Sequence, residues 1–222
     1  MQINIMVEGF EDQELVAVLL TELGKVPGWR EQGKSLVGES AAGNPVAIYE
    51  MGGWTTIPTS TELLPRLQQS PEVGVQNLIV YDADTPRQAQ GGFEVRRAEL
   101  QRQASELGLS FESFLLPDNG TDGNLEDLMH KMVHPSHQLV ADCFSNYEEC
   151  VRLQRTPAGT EYRLPISKSR YFAYIEALPL TPEEVKHLDK RRGTKLFGNS
   201  NYWNLAAPEV QPLRDFLDQN VQ

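Results

Sequence analysis

Two aspartates one residue apart follow an apolar run in the stretch LIVYDADTP, residues 78–86. A third acid, Glu8, follows an earlier apolar run in the stretch MVEGFED. Like charges held within about 4–6 Å disfavour their common ionisation. A hard divalent ion removes that penalty, because Mg²⁺ prefers oxygen ligands and is often held by one or two carboxylates together with substrate phosphates. The residues therefore predict a Mg²⁺ or Mn²⁺ site, with Asp82 and Asp84 pointing the same way from the end of a strand.

Short β-like segments alternate with longer helix-like segments along the first part of the chain. Strands are predicted at 3–7, 44–51, 76–82 and 111–117. Helices are predicted at 11–24, at 61–70 with a disturbance at Pro65, at 92–108, and from about 124 to 133. This alternation favours an α/β fold with a largely parallel sheet, in which ligands bind beyond the carboxyl ends of the strands. If the first and third strands are neighbours, Glu8 and the aspartate pair face one another across that edge.

The domain organisation follows from the same pattern. Residues 1–135 are predicted to form the α/β domain, and residues 136–222 a helix-rich part that packs on it as one structural unit. The segments 27–45, 52–60 and 191–204 have the glycine, proline and polar content of loops. Trp54, beside two glycines, is expected to be a packing anchor.

The charge balance limits the partners. Acidic residues outnumber basic ones 31 to 20, for a net charge of −11, so binding to nucleic acid needs a local basic patch, a metal ion or a partner. The basic clusters are expected to be solvated faces. They are Arg87, Arg96, Arg97 and Arg102; Lys168 and Arg170; and Lys186, Lys190, Arg191, Arg192 and Lys195. No run of about 18 apolar residues and no basic leader is present, so we expect a cytoplasmic protein without a membrane anchor.

The motifs MVEGFED and LIVYDADTP resemble the two signature motifs of Toprim domains, in which a glutamate ends the first strand and an Asp-x-Asp ends a later one. The glutamate corresponds to Glu8 and the pair to Asp82 and Asp84. The E-G-x-x-D pattern of the overcoming-lysogenisation-defect nucleases is matched through Asp12. LLPDNGTDGNLEDLM and KSRYFAYIEALPL also resemble small, uncharacterised microbial Toprim-like proteins over most of the chain. The resemblance implies a Rossmann-like, four-stranded Toprim sheet and a further metal ligand at Glu126 or Asp127.

Metal-dependent phosphoryl transfer, above all hydrolysis of nucleic-acid phosphodiesters by a Toprim-type nuclease, is the leading functional hypothesis. Asp82 and Asp84 would bind the ion, and Glu8 would be a ligand or the general base for the attacking water. Asp12 and Glu126 are candidates for supporting a second ion, although both also suit the first turn of a helix. Lys168 is a candidate phosphate contact, or else a surface cation at a helix start.

Two other readings stay open. A non-catalytic Toprim scaffold that binds or regulates beside a partner ATPase agrees with the acidic charge and with the lack of a phosphate-binding loop in this sequence. A haloacid-dehalogenase-like phosphatase would use Asp82 as its nucleophile, but Pro86 and the position of the strand do not match that pattern. Topoisomerase and primase identities are disfavoured, because Thr85, Pro86 and Arg87 replace the acid that continues the topoisomerase motif and no zinc-ribbon cysteines occur.

Overall fold

A six-stranded sheet in the order β2-β3-β4-β1-β5-β6 organises the first part of the chain. The computed structural model describes residues 1–88, 90–190 and 194–222. The strands are β1 (Gln2–Val7), β2 (Arg30–Gln32), β3 (Ser35–Glu39), β4 (Pro45–Glu50), β5 (Val75–Asp82) and β6 (Glu112–Leu116). The helices are α1 (Phe10–Glu22), α2 (Leu64–Leu67), α3 (Phe93–Leu107), α4 (Leu125–Met132), α5 (Gln138–Leu153), α6 (Ser167–Ala177), α7 (Pro182–Lys190) and α8 (Gln211–Asn220).

The four predicted strands form the parallel part of this sheet. β1 lies between β4 and β5, and β6 pairs with the far side of β5, all in parallel register. β1 and β5 are buried along nearly their whole length, as expected for parallel strands covered on both faces. The sequence-based expectation of an α/β fold with a largely parallel sheet is confirmed, and the first and third predicted strands are neighbours.

The sheet has two more strands than the four expected. β2 and β3 form an antiparallel hairpin within the predicted loop 27–45, and β3 pairs with the outer edge of β4. Gly33, at φ +63°, lies in the left-handed region and allows the tight turn between them. β2 is fully exposed and β3 only half-buried, so neither strand shows the apolar alternation that reveals a strand in a sequence.

Helices cover both faces of the sheet. On one face, Met6, Ile79 and Tyr81 belong to a buried cluster that includes Phe93 and Leu100 of α3. On the other face, Phe114 of β6 packs against Phe216 of α8, with ring centroids 5.5 Å apart. The predicted helix at 61–70 is much shorter than expected, because Pro65 fits only in the first turn, and α2 spans Leu64–Leu67. Short 3₁₀ helices occur at Trp54–Thr59, Pro71–Val73, Pro135–His137 and Pro208–Val210.

The chain divides into two compact units, one of Met1–Leu128 with Ala206–Gln222 and one of Met129–Leu205. The predicted division into residues 1–135 and 136–222 placed the last helix, α8, in the helix-rich C-terminal part. Instead α8 belongs to the first unit, where Lys25 pairs with Asp218 at 2.9 Å. This long-range ion pair and the burial of Leu213 and Leu217 are tertiary contacts that no local sequence pattern reports.

The second unit is helical. α5 packs on α6, and Arg170 of α6 forms an ion pair with Glu148 of α5. Trp203 is the centre of an aromatic cluster with Tyr171, Tyr174 and Phe197. Residues 194–204 lack helix and strand, as predicted for the loop 191–204, whereas its first three residues, with the basic residues Arg191 and Arg192, lie outside the described residues. In the described ranges, no helix has the length and apolar composition required to cross a bilayer.

Candidate functional site

Glu8 and Asp82 lie at the carboxyl ends of the two central parallel strands. Asp82 is the last residue of β5, and Glu8 directly follows β1. The register pairs Val7 with Val80, so continuing it by one residue brings Glu8 level with Tyr81, beside Asp82. In a parallel sheet this edge is where ligands bind.

Two helix starts add further carboxylates to this edge. Asp12 lies in the first turn of α1, is 7% exposed, and accepts a hydrogen bond from the Gly9 N–H to Oδ2 at 2.9 Å. Glu126 lies in the first turn of α4 and is half-buried. The negative charges of Glu8, Asp12 and Glu126 all act on Asp82. We call Glu8, Asp12, Asp82 and Glu126 the acidic cluster.

Asp82 bears the electrostatic consequence of this crowding. Burial, followed by the charges of Asp12, Glu8 and Glu126, raises the pKa of Asp82 well above its ordinary value. One contact opposes the rise, because the Leu125 N–H donates to Asp82 Oδ1 at 2.8 Å. The ionised cluster is therefore unfavourable by itself, and a bound cation would relieve it.

Tyr81 lies in the buried core beside this cluster. Its pKa is raised by burial and then by the charges of Glu8 and Asp12. The hydroxyl donates to the Met51 sulfur at 3.2 Å. Tyr81 is therefore a neutral, apolar support for the cluster rather than a proton donor or acceptor at neutral pH.

Asp84 has other partners than the acidic cluster. The strand ends at Asp82, and Asp84 has φ +62°, in the left-handed region, where its backbone N–H and C=O bond to Gly123. Asp84 Oδ2 accepts from Arg96 Nη2 at 2.5 Å, and Oδ1 accepts from Gln88 at 2.7 Å. The expectation that Asp82 and Asp84 point the same way is therefore wrong, because a left-handed residue does not continue the alternation of the strand.

The sequence did not lead us to expect that Arg96 is buried and pairs with Asp84 in this region. It was expected on a solvated face, yet it is 1% exposed, and its guanidinium lies over the Trp54 ring at 4.5 Å from the centroid. A signal was present, because Arg96 follows Phe93 by three residues and precedes Leu100 by four, which places it on the buried stripe of α3. Lys195, from another predicted solvated cluster, is also buried, at 2% exposure.

Several other acids near the site cap backbone groups. Asp122 accepts from the Phe93 N–H at 2.7 Å, at the start of α3. Asp127 accepts from the Asn124 N–H, and Asn124 returns the bond to the Asp127 N–H, which closes the start of α4. Asp127 is exposed, so Glu126 rather than Asp127 is the α4 acid that joins the cluster.

Lys168 belongs to the second unit. It lies in the first turn of α6 with an exposed side chain. The acidic cluster is built from the first unit only. Its predicted contact with a substrate phosphate stays a prediction.

The donor set of the cluster consists of carboxylate oxygens alone, which suits a hard divalent ion. Within residues 1–88, 90–190 and 194–222, no three His, Cys, Asp or Glu side chains are already arranged as a ligand shell. Two of the four carboxylates accept backbone N–H bonds, at Gly9 and Leu125. Binding an ion would therefore require side-chain movements that bring the carboxylates closer together.

The chain is similar along its length to one solved structure. This is a hypothetical protein from Pyrococcus horikoshii OT3, with 15% identity and a TM-score of 0.52, over 98% of this chain and 99% of that chain. At that identity the similarity shows the shared fold alone. A futalosine hydrolase mutant of Helicobacter pylori strain 26695 matches at 13% identity over 52% of this chain and 66% of that chain, and its TM-score of 0.24 is too low to indicate a shared fold.

A search of the curated proteins found no match. The model of one protein family matches residues 2–222 of this chain. The chain belongs to the family described as protein of unknown function (DUF3226).

Proposed function

We propose that the protein carries out phosphoryl transfer with Mg²⁺ or Mn²⁺, and that its reaction is hydrolysis of a nucleic-acid phosphodiester. The observation that carries this proposal is the acidic cluster. Three carboxylates, from one strand end and two helix starts, act on the carboxylate of Asp82 at the ligand-binding edge of a parallel sheet. Such an arrangement is unfavourable to folding unless a positive charge is bound there.

The cluster offers the ligands that this chemistry needs. Asp82 and Glu8 would hold the ion, and Asp12 and Glu126 would ligate it too or support a second ion. When bound, the ion supplies charge neutralisation at the phosphate and at the departing oxygen. The raised pKa of Asp82 falls again once a cation offsets its three acidic neighbours, so ion binding and deprotonation are linked.

Glu8 is the candidate general base. It follows directly after β1, so the sheet fixes its backbone, and its half-buried carboxylate lies at the edge where the ion would bind. It would take a proton from the attacking water while Asp82 stays ionised. Gly53 lies beside it, since a Cβ at that position would be 3.9 Å from Glu8 Oε2, and the lack of a side chain leaves this side of Glu8 open.

The motif resemblance supports the same reaction class. EGFED and YDADTP resemble the Toprim signature, and their acids Glu8, Asp12 and Asp82 are three of the four members of the cluster. Asp84, the second aspartate of the motif, pairs with Arg96 instead, and its part in ion binding is the least supported by the geometry.

Calorimetric titration with Mn²⁺ tests the proposal. The full chain should bind Mn²⁺, and Asp82→Asn and Glu8→Gln should each weaken binding at least about tenfold, since each removes a charged ligand. Asp118→Asn, at a half-buried acid that follows β6 and lies outside the acidic cluster, is the matched control and should leave binding unchanged. On α4, Glu126→Gln should weaken binding and Asp127→Asn should not. Absence of Mn²⁺ binding by the unmodified chain would refute the proposal.

A second candidate function is a non-catalytic Toprim scaffold that works beside a partner ATPase. The observation that favours it is the net charge of −11, which opposes autonomous binding to a polyanion. An ATPase that co-purifies with the protein, together with no nuclease activity of the isolated chain in Mn²⁺, would favour this reading over the first.

A further inference from the structure

Arg96 is a buried cation with unused hydrogen-bonding capacity. Its side chain is 1% exposed, and only Nη2 has a partner, the Asp84 carboxylate at 2.5 Å. Its Nε and Nη1 atoms are buried and make no hydrogen bond to any residue that the structure describes. A buried donor on a charged group that lacks an acceptor is unfavourable, so its presence in a fold needs an explanation.

The guanidinium is held in a fixed orientation. It lies over the Trp54 ring at 4.5 Å from the centroid, and Trp54 is anchored in the 3₁₀ helix that follows β4. A guanidinium that lies over an aromatic face does not use its N–H donors for that contact. A planar fork of N–H donors in a fixed position is the geometry that binds phosphate oxygens in pairs.

Asp84 is the more accessible partner of this ion pair. Its side chain is 20% exposed, against 1% for Arg96, and it is held by Gln88 on its other oxygen. An anion that approaches from solvent therefore competes with Asp84 for Arg96. The exchange requires that the Asp84 side chain rotate away from Arg96, at the start of the loop that follows β5.

Arg96 is next to the acidic cluster through two short connections. Gly53, which adjoins Glu8, directly precedes Trp54, which stacks on Arg96. Asp82 is separated from Asp84 by Ala83 alone. A phosphate on Arg96 would therefore lie at the same edge of the sheet as the carboxylates that are proposed to hold the ion.

We propose that Arg96 binds the phosphate group of the substrate, and that Asp84 occupies the guanidinium when no substrate is present. The proposal rests on the proposed function for the identity of the anion as a substrate phosphate. It assigns Asp84 a role other than a permanent metal ligand. Because Asp84 leaves Arg96 when phosphate binds, its carboxylate becomes available to the neighbouring ion, and phosphate and Mn²⁺ should strengthen each other's binding.

Calorimetric titration of the full chain with inorganic phosphate tests this exchange. Asp84→Asn should bind phosphate about tenfold more tightly than the unmodified chain in the absence of Mn²⁺, because the competing charge is removed. Arg96→Gln should reduce binding at least about tenfold, because a charge-assisted pair is lost. The opposite signs distinguish a competing carboxylate from a carboxylate that merely maintains the fold.

Two further variants keep the test valid if Arg96→Gln fails to fold. The double variant Asp84→Asn with Arg96→Gln removes both charges together, so it leaves no unpaired buried ion and should fold, but it should still not bind phosphate. Arg97→Gln is the matched control, since Arg97 is the next residue, half-exposed, and paired with Glu94 at 2.8 Å. It should bind phosphate as the unmodified chain does.

A single-stranded oligonucleotide without terminal phosphates distinguishes a phosphodiester from free phosphate as the ligand. Parallel changes for both probes identify a site for nucleic-acid phosphates, and changes for inorganic phosphate alone identify a site for small phosphorylated ligands. Phosphate binding by the double variant at unchanged strength, or no phosphate binding by either the unmodified chain or Asp84→Asn, would overturn the inference. Loss of Mn²⁺ binding with retained phosphate binding would instead count against the proposed function alone.

Discussion

Asp82 stands in an environment that disfavours its charge, and this makes the ion-free protein less stable than its fold allows. Its carboxylate is buried and has three acidic neighbours. The burial and the neighbouring charges all raise its pKa. Such a group binds its proton more tightly in the folded state than in the unfolded state, where the pKa of an aspartate is near 3.8. The free energy of unfolding therefore falls as the pH rises from that value through the folded pKa.

We expect Asp82→Asn to stabilise the ion-free protein at pH 7, because the neutral amide is not opposed by burial and by the three acidic neighbours as the carboxylate is. The amide oxygen can keep the bond from the Leu125 N–H. Urea unfolding in EDTA between pH 5 and pH 8 measures the effect, and the variant should lose part of the pH dependence. Adding Mn²⁺ should stabilise the unmodified chain and not the variant.

Asp118→Asn is the control for this stability effect, because Asp118 is half-buried and lies outside the cluster, and the amide oxygen can keep the bonds from the Gly120 and Thr121 N–H groups. A chain with Asp82→Asn that is no more stable than the unmodified one, with the same dependence on pH, would mean that the crowding at Asp82 is already relieved within the protein. The electrostatic basis of the proposed ion site would then be lost.

At the scale of elements, the loop between β5 and α3 brings Asp84 and Arg96 together, and it depends on a close backbone contact. A Cβ at Gly91 would lie 2.2 Å from the Thr85 carbonyl oxygen and 3.1 Å from Asp84 Cβ. Real Cβ atoms do not approach a backbone oxygen so closely, so a side chain at this position must displace the loop. The loop in turn sets where α3 begins and where Arg96 enters the core.

We expect Gly91→Ala to lower the free energy of unfolding by about 1–3 kcal/mol, as overpacking of a fixed site does. It should also weaken phosphate binding, because Asp84 and Arg96 shift with the loop. Urea unfolding and phosphate titration measure the two effects. Gly28→Ala is the control, since no atom lies within 4 Å of its Cβ position, and equal effects of both substitutions would contradict this account of the loop.

The elements that carry the acidic cluster are predictable from the sequence because their signals are local. β1 and β5 are continuous apolar runs, and an acid after each run marks the strand end. Asp12 and Glu126 are indicated by the motif resemblance, and both lie in the first turn of a helix. The β2–β3 hairpin is exposed and lacks a period, so only its pairing with β4 defines it.

The pairing of Asp84 with Arg96 could not be predicted from the order of residues. It depends on the left-handed backbone at Asp84 and on its bridge to Gly123, and both arise from tertiary contacts. The burial of Arg96 was open to prediction from its place on the α3 stripe. The general rule that arginine clusters are solvated overrode that signal.

At the scale of the whole molecule, the net charge of −11 determines how a polyanion can bind. Long-range repulsion opposes the approach of nucleic acid, and Arg96 is a single buried cation rather than a basic surface. A divalent ion in the acidic cluster would remove part of the local negative charge and add a phosphate ligand. The ion should thus control nucleic-acid binding, not merely the reaction.

We therefore expect a single-stranded oligonucleotide to bind in Mn²⁺ and to bind far more weakly in EDTA, by at least about tenfold. With only one or two phosphates contacted, the logarithm of the affinity should fall with the logarithm of the salt concentration at a slope of about −1, since each phosphate contributes about −0.7 on single strands. Fluorescence anisotropy over a range of KCl concentrations measures both quantities, and Asp82→Asn should bind equally weakly with and without Mn²⁺. Tight binding in EDTA with a steep slope would instead require a basic surface on the protein, and the ion would then have no part in holding the nucleic acid.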